Sequence, residues 1–149
     1  MGRLKDRIAA DLKEAIKARD QLRADTLRSV LSGFTYKRTE AGVELSDRDE
    51  LDVVARQVKQ RVDAAAEFQR GGRPELAHKE EREREILLTY LPAQKGLEEI
   101  RQAVRSVIDG LPPEGRNTGA VMKVAMPELR GVADGNLVRQ IVTEELARA

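Results

Sequence analysis

Between positions 51 and 68 the apolar residues Leu51, Val54, Ala55, Val58, Val62, Ala65 and Phe68 return every three or four steps. That is the repeat of one face of an α-helix, and no other feature of the chain constrains its fold as much. A stripe this long must meet other helices, because an amphipathic helix takes most of its stability from packing its apolar side. The same period marks Leu4, Ile8, Leu12, Ala15 and Ile16, and then, past the polar junction Arg19-Asp20, the set Leu27, Val30, Leu31 and Phe34. Gly42 predicts a stop. Ser46 before Asp47 and Asp49 predicts the start of the long helix, since a serine cap and acids in the first turn suit the exposed N–H groups there.

Composition agrees with helix. Aromatic residues make up 3% of the chain and charged residues 36%, against 40% hydrophobic. Ala, Leu, Glu, Lys and Arg favour helices, whereas sheets draw on aromatic and β-branched side chains. Past Gly71 and Gly72, Pro74 stands where a helix tolerates proline, at its opening. Residues 75–85 are charged apart from Leu76, Ala77 and the histidine His78, and apolar residues return at Ile86, Leu87, Leu88, Tyr90 and Leu91. This predicts a solvated helix docking only through its C-terminal turns, with Glu80 and Arg84 in favourable i,i+4 order. Two long helices about Gly71-Gly72 predict an antiparallel hairpin.

Pro92 ends that helix, and residues 92–96 read as a linker. Three short helical units follow. Ile100, Val104, Val107 and Ile108 mark the first; Val121, Met122, Ala125, Met126 and Leu129 the second; Leu137, Val138, Ile141, Val142 and Leu146 the third, with Asp134 as its N-cap. Pro127 is expected to kink or weaken the last turn of the second. The expected fold is therefore all-α: an N-terminal helical domain, residues 1–92, with a long hairpin, and a small C-terminal three-helix domain, residues 97–149.

Chemistry is hard to find in this chain. It has no cysteine, which excludes thiolate nucleophiles, disulfides and Cys-ligated metals. The single histidine, His78, sits in the charged run with no second imidazole or thiol to share a metal, so a surface helical residue is expected. Glu80, Glu81, Glu83 and Glu85 alternate with Arg82 and Arg84, and a wet, ion-paired surface is expected rather than a carboxylate site. No phosphate-binding glycine loop or nucleophile elbow occurs. The expectation is no catalytic residue, no cofactor and no metal. The start of the chain lacks an apolar leader and no run reaches the length of a membrane span, so a cytoplasmic, membrane-free protein is expected.

Charge sets a limit on partners. Lys plus Arg total 27 against 26 Asp plus Glu, so any nucleic-acid binding must come from a local patch. Residues 1–40 carry ten cations and six acids, a modest excess. The better candidate is the bend between the last two helices. Gly131 allows a left-handed cap, and Gly135 with Asn136 opens the next helix, where main-chain N–H groups beside Lys123, Arg130 and Arg139 can receive a phosphate. A tight helix–turn–helix junction with no ligand is the plain alternative, and the acid at Asp134 counts toward it.

The segment Gly119, Val121, Met122, Lys123, Met126, Pro127, Gly131, Ala133, Asp134, Gly135 and Val138 resembles the C-terminal signature of the GatB/YqeY family. Thr26-Leu27-Arg28, Lys59-Gln60-Arg61, Glu67-Phe68, Glu75-Leu76, Glu85-Ile86 and Tyr90-Leu91-Pro92 resemble stand-alone YqeY proteins in the same order. The resemblance implies a two-domain helical fold. It also implies kinship with the tail of the tRNA-dependent amidotransferase B subunit, which serves Glu-tRNA(Gln) and Asp-tRNA(Asn) amidation. Around the 133–135 turn amidotransferase tails differ, which limits the transfer of RNA contacts. The expected function is that of a non-catalytic tRNA-binding accessory in translation, with Lys123, Arg130, Gly131, Gly135, Asn136 and Arg139 as the binding set. The alternative is a module docking on a tRNA synthetase or amidotransferase. A weaker alternative, by family label only, is a carbon–nitrogen ligase with glutamine as amido-N donor.

Overall fold

The computed structural model describes residues 2–149. Among the described residues there are seven α-helices and no strand: α1 (Arg3–Lys17), α2 (Gln21–Ala41), α3 (Asp47–Arg70), α4 (Pro74–Leu88), α5 (Leu97–Asp109), α6 (Thr118–Leu129) and α7 (Gly135–Arg148), with a 3-10 turn at Pro113–Gly115. The fold is all-α, as the periodicity predicts. The helices form two compact units that divide between Leu91 and Pro92.

Helix ends follow local chemistry. The Asp20 carboxylate accepts the Arg23 N–H at 3.2 Å and opens α2. Ser46 and Asp49 cap α3 reciprocally, each side chain accepting the other's main-chain N–H at 3.1 Å, an arrangement that satisfies two of the orphan donors of a first turn. Gly42 closes α2 at a φ of 74°, a left-handed conformation open to glycine and strained for most side chains.

In the first unit Ile8, Leu27, Val30, Phe34, Val54 and Leu87 meet in one core, with Tyr90 at its edge. Helix α3 packs on α1, α2 and α4, so its buried face is wider than the stripe in the sequence. Glu50, Val53, Val54, Gln57 and Ala65 are buried, while Val62, on the predicted stripe, is 44% exposed. Gly33 of α2 lies in close contact with α3. A Cβ there would lie 2.8 Å from Gln57 Nε2 and 3.0 Å from Val53 Cγ1.

Helix α4 departs from its prediction. It docks along its length rather than by its last turns: Ala77 has no exposed surface, and Glu80 and Glu83 turn inward to Arg61 of α3. Arg61 Nε donates to Glu83 Oε2 at 2.7 Å and lies 3.6 Å from Glu80. Positions 61 and 83 are symmetric about Gly72, as an antiparallel hairpin turning there requires. Small Ala77 admits the close approach, and the Arg61 guanidinium compensates the acids that approach brings inside. Glu80 therefore pairs across the hairpin and not with Arg84, whose Nε is buried without a hydrogen-bond partner among the described residues.

The second unit has a core of its own, built on Ile100, Val104, Ile108, Val121, Leu129, Val138, Ile141 and Val142. Helix α6 continues through Pro127 to Leu129. The proline falls in the last turn, where the one hydrogen bond it removes, to the Lys123 carbonyl, costs least. Residues 92–96 are tied to this unit rather than left as a loose link. Gln94 Nε2 donates to the Gly131 carbonyl at 2.9 Å, and the Lys95 N–H donates to the Val132 carbonyl at 2.8 Å.

Candidate functional site

The α6–α7 bend brings Arg130, Gly131, Gly135 and Asn136 together; Lys123 lies on the outer side of α6 and Arg139 one turn into α7. Lys123, Arg130, Asn136 and Arg139 are exposed, and the two glycines half-buried. The bend itself is closed by its own hydrogen bonds. The Arg130 N–H donates to the Met126 carbonyl at 2.8 Å, and those of Val132 and Ala133 donate to the Leu129 carbonyl at 3.1 and 3.0 Å. The Asn136 N–H donates to the Asp134 carboxylate at 3.2 Å. Gly131 adopts a φ of 85° and offers its carbonyl to Gln94.

These bonds change what the bend can do. The N–H groups of residues 130, 132, 133 and 136 are consumed inside the turn, and the Asp134 carboxylate occupies the place an anion would take at the start of α7. The expected main-chain cradle is thus closed at these four positions, and Lys123 and Arg139 stand exposed beside it. Among the described residues no ion pair engages Lys123 or Arg139. The neighbouring cations of this unit differ. Arg101 pairs with Glu144 at 3.4 Å, Arg105 with the buried Glu145 at 3.0 Å, and Lys95 with Glu99 at 4.0 Å. Arg130 takes part in interactions of its own.

His78 is a surface residue of α4, its Nδ1 3.9 Å from Glu81 with a side chain 70% exposed. The acids around it are less uniform than expected. Glu80 and Glu83 are largely covered, and burial raises the Glu80 carboxyl above its ordinary range, helped by Glu83 and opposed by Arg61 and Lys79. Among the described residues no set of three His, Asp or Glu side chains is arranged to hold a metal, and no helix is long and apolar enough to cross a membrane.

Three polar constellations in the first unit lie outside the sequence expectations. In one, Ser29 Oγ donates to Gln57 Oε1 at 3.2 Å and Gln57 Nε2 donates to the Ser29 carbonyl at 3.0 Å, with Arg61 reaching the same hydroxyl at 3.4 Å. This joins α2, α3 and α4. In the second, the Tyr90 hydroxyl donates to Asp11 Oδ2 at 2.6 Å and accepts from Arg23 Nη2 at 3.4 Å, while the Arg7 guanidinium stands 4.7 Å from the ring centroid. Burial, and the Asp11 carboxylate that the hydroxyl donates to, push the Tyr90 phenol up to about 12. In the third, Glu50 of α3 is 3% exposed and its Oε1 has no hydrogen-bond partner among the described residues. A polar residue spaced into an apolar stripe, as Glu50, Gln57 and Arg61 are on α3, is the sequence signal that marks such buried groups.

With this geometry in place, the comparisons with known proteins decide the family. The family model described as Yqey-like protein matches residues 5–146. The chain belongs to the YqeY-like family. Among curated relatives of the family, one from Clavispora lusitaniae named "Altered inheritance of mitochondria protein 41, mitochondrial" is 33% identical over 82% of this chain and 74% of its own length. The protein of the same name from Kluyveromyces lactis is 44% identical over 59% of this chain and 50% of its length. The one from Pyrenophora tritici-repentis is 27% identical over 93% of this chain and 78% of its length. These names overturn the cytoplasmic location expected from the chain's opening residues, since the relatives are named mitochondrial proteins.

Proposed function

We propose that this YqeY-like chain is a non-catalytic tRNA-binding accessory, gripping the phosphate backbone through Lys123 and Arg139 on the outer sides of α6 and α7. The observation that carries this reading is selective. In a unit where Lys95, Arg101, Arg105 and Arg148 lie against carboxylates and Arg116 donates to the Leu111 carbonyl, these two stand exposed without an ion pair among the described residues. Cations held this way suit shape and phosphate readout of helical RNA, whose deep groove hides its base edges. Family kinship with the amidotransferase tail also supports tRNA as the ligand. Because the N–H groups of Arg130, Val132, Ala133 and Asn136 are engaged, side-chain charge carries the contact in this reading.

Filter binding of the full chain to bulk tRNA tests it. Affinity should fall steeply with salt, because each neutralised phosphate releases counterions. Lys123→Glu with Arg139→Glu should weaken binding and flatten the salt slope by about 2. The reading fails if the unchanged chain does not retain tRNA at low salt.

A second reading, docking on a synthetase or amidotransferase, draws support from the exposed Val62 beside a groove between α3 and α4 lined by Ala65, Ala66, Gln69 and Arg84. A stoichiometric complex with one such enzyme that survives nuclease and is lost in Val62→Glu would favour it.

A further inference from the structure

A cavity of about 220 Å³ lies at the mouth of the first unit, where the start of α1, the end of α2 and the start of α3 converge. Lys5, Asp6, Phe34, Arg38, Glu44 and Glu50 line it. Its volume is several times the ~30 Å³ a water occupies in the liquid, so the space is large enough for a small organic group.

Glu50 gives this cavity its chemistry. The residue is 97% covered, and its Oε1 lies buried with no donor among the described residues. A buried carboxylate oxygen left this way costs more than an ordinary missing hydrogen bond, because a charge has been stripped of water. The surroundings supply incomplete compensation. The Lys5 main-chain N–H and the Lys5 charge favour ionisation, but burial first, and then Asp47 and Asp6, oppose it. Arg38 is drawn to Glu44 at 3.7 Å. The cavity thus holds three acids against two cations, one of which is already engaged. The acids are not arranged as metal ligands. Phe34, 2% exposed, and Leu45, 7% exposed, add apolar lining.

From this we infer that the cavity is a binding site for a small primary ammonium compound, the ammonium group donating to the orphan Glu50 Oε1 while its carbon chain lies along Phe34 and Leu45. A primary ammonium fits on three counts. It brings N–H donors, it brings the charge that Glu50 lacks, and its stem is apolar. A free amino acid or a polyamine would present the same group. This site is separate from the tRNA reading and stands or falls without it.

Isothermal titration of the full chain with n-butylammonium, glycine and putrescine tests the inference, with tetramethylammonium as a cation that has no N–H to donate. Butylammonium should bind and raise the melting temperature, tetramethylammonium should do neither, and Glu50→Gln should weaken binding at least about tenfold. Glycine binding more tightly than butylammonium would assign an amino acid, its carboxylate meeting Lys5; putrescine binding more tightly would assign a polyamine, its second ammonium meeting an acid of the rim. Should the variant fold poorly, movement of the Glu50 carboxyl ¹³C resonance in the unchanged chain on adding butylammonium gives the same answer. Absence of binding by every primary amine at millimolar concentration, or an undiminished response in Glu50→Gln, would overturn the site.

Discussion

Tyr90 shows how much one side chain can settle. It sits two residues past the end of α4, 4% exposed, and joins that end to α1 and α2 through Asp11, Arg7 and Arg23. Tyr90→Phe keeps the ring in the core but strips Asp11 of its donor, and should destabilise the first unit by about 1–2 kcal/mol in urea unfolding. The phenol also sets a pH dependence. Its folded pKa of about 12 lies above the ordinary 10, so the neutral form is favoured in the folded state. That contribution is fully present below pH 10 and is lost as pH rises from 10 through 12. The alkaline fall in stability across that window should be smaller in Tyr90→Phe than in the unchanged chain. The tyrosine was legible in the sequence as part of a family motif. Its partners were not, since Asp11 and Arg23 lie 79 and 67 positions away, and helix periodicity says which face a residue occupies without saying what meets it.

At the scale of the element, the hairpin of α3 and α4 is where apolar pattern succeeds and charge pattern misleads. Both helices, their junction at Gly71-Gly72 and the Ser46 cap follow from residue types in order. The docking of α4 does not, because Glu80 and Glu83 look like surface acids until Arg61 is placed opposite them. A charge run is wet only if no counter-charge on another helix can reach it. The side chains of Arg61, Glu80 and Glu83 are 14%, 21% and 13% exposed, covered enough that removing Arg61 leaves two acids close together with little water and only the more exposed Lys79, 3.8 Å from Glu83, beside them. Arg61→Met should therefore cost roughly 2–4 kcal/mol in equilibrium unfolding, toward the range for breaking a buried pair. Part of that loss should return as pH falls from neutral, since Glu80, whose carboxyl burial holds above its usual range, takes up a proton and the repulsion with Glu83 falls. Arg61→Lys, which keeps the charge but not the fork of donors, should recover only part of the stability. Equal losses at pH 5 and pH 8 would show that Arg61 matters through packing and not charge.

For the molecule as a whole, the decisive fact is that the two apolar cores draw on different stretches of chain. One is built from residues between Ile8 and Tyr90, the other from residues between Ile100 and Val142. Each is closed by its own helices, so each can lose its packing on its own terms. Ile141 is 1% exposed in the second core, and Ile141→Ala removes buried carbon and leaves a void that surrounding helices fill only in part, a change worth about 2–5 kcal/mol. Native-state hydrogen exchange followed by residue is the appropriate readout, because local openings report the stability of the unit that opens. Amides of α5, α6 and α7 should lose protection by that amount, while those buried in α2 and α3 keep theirs. Leu27→Ala should give the reverse pattern. The same pair of variants bears on function, since Lys123 and Arg139 are positioned by the second core and the Glu50 cavity by the first. Ile141→Ala should therefore reduce tRNA retention and spare ammonium binding, and Leu27→Ala should do the opposite. If either substitution lowered protection evenly from α1 to α7, the cores would be thermodynamically one body, and the assignment of each binding property to its own unit would have no energetic basis.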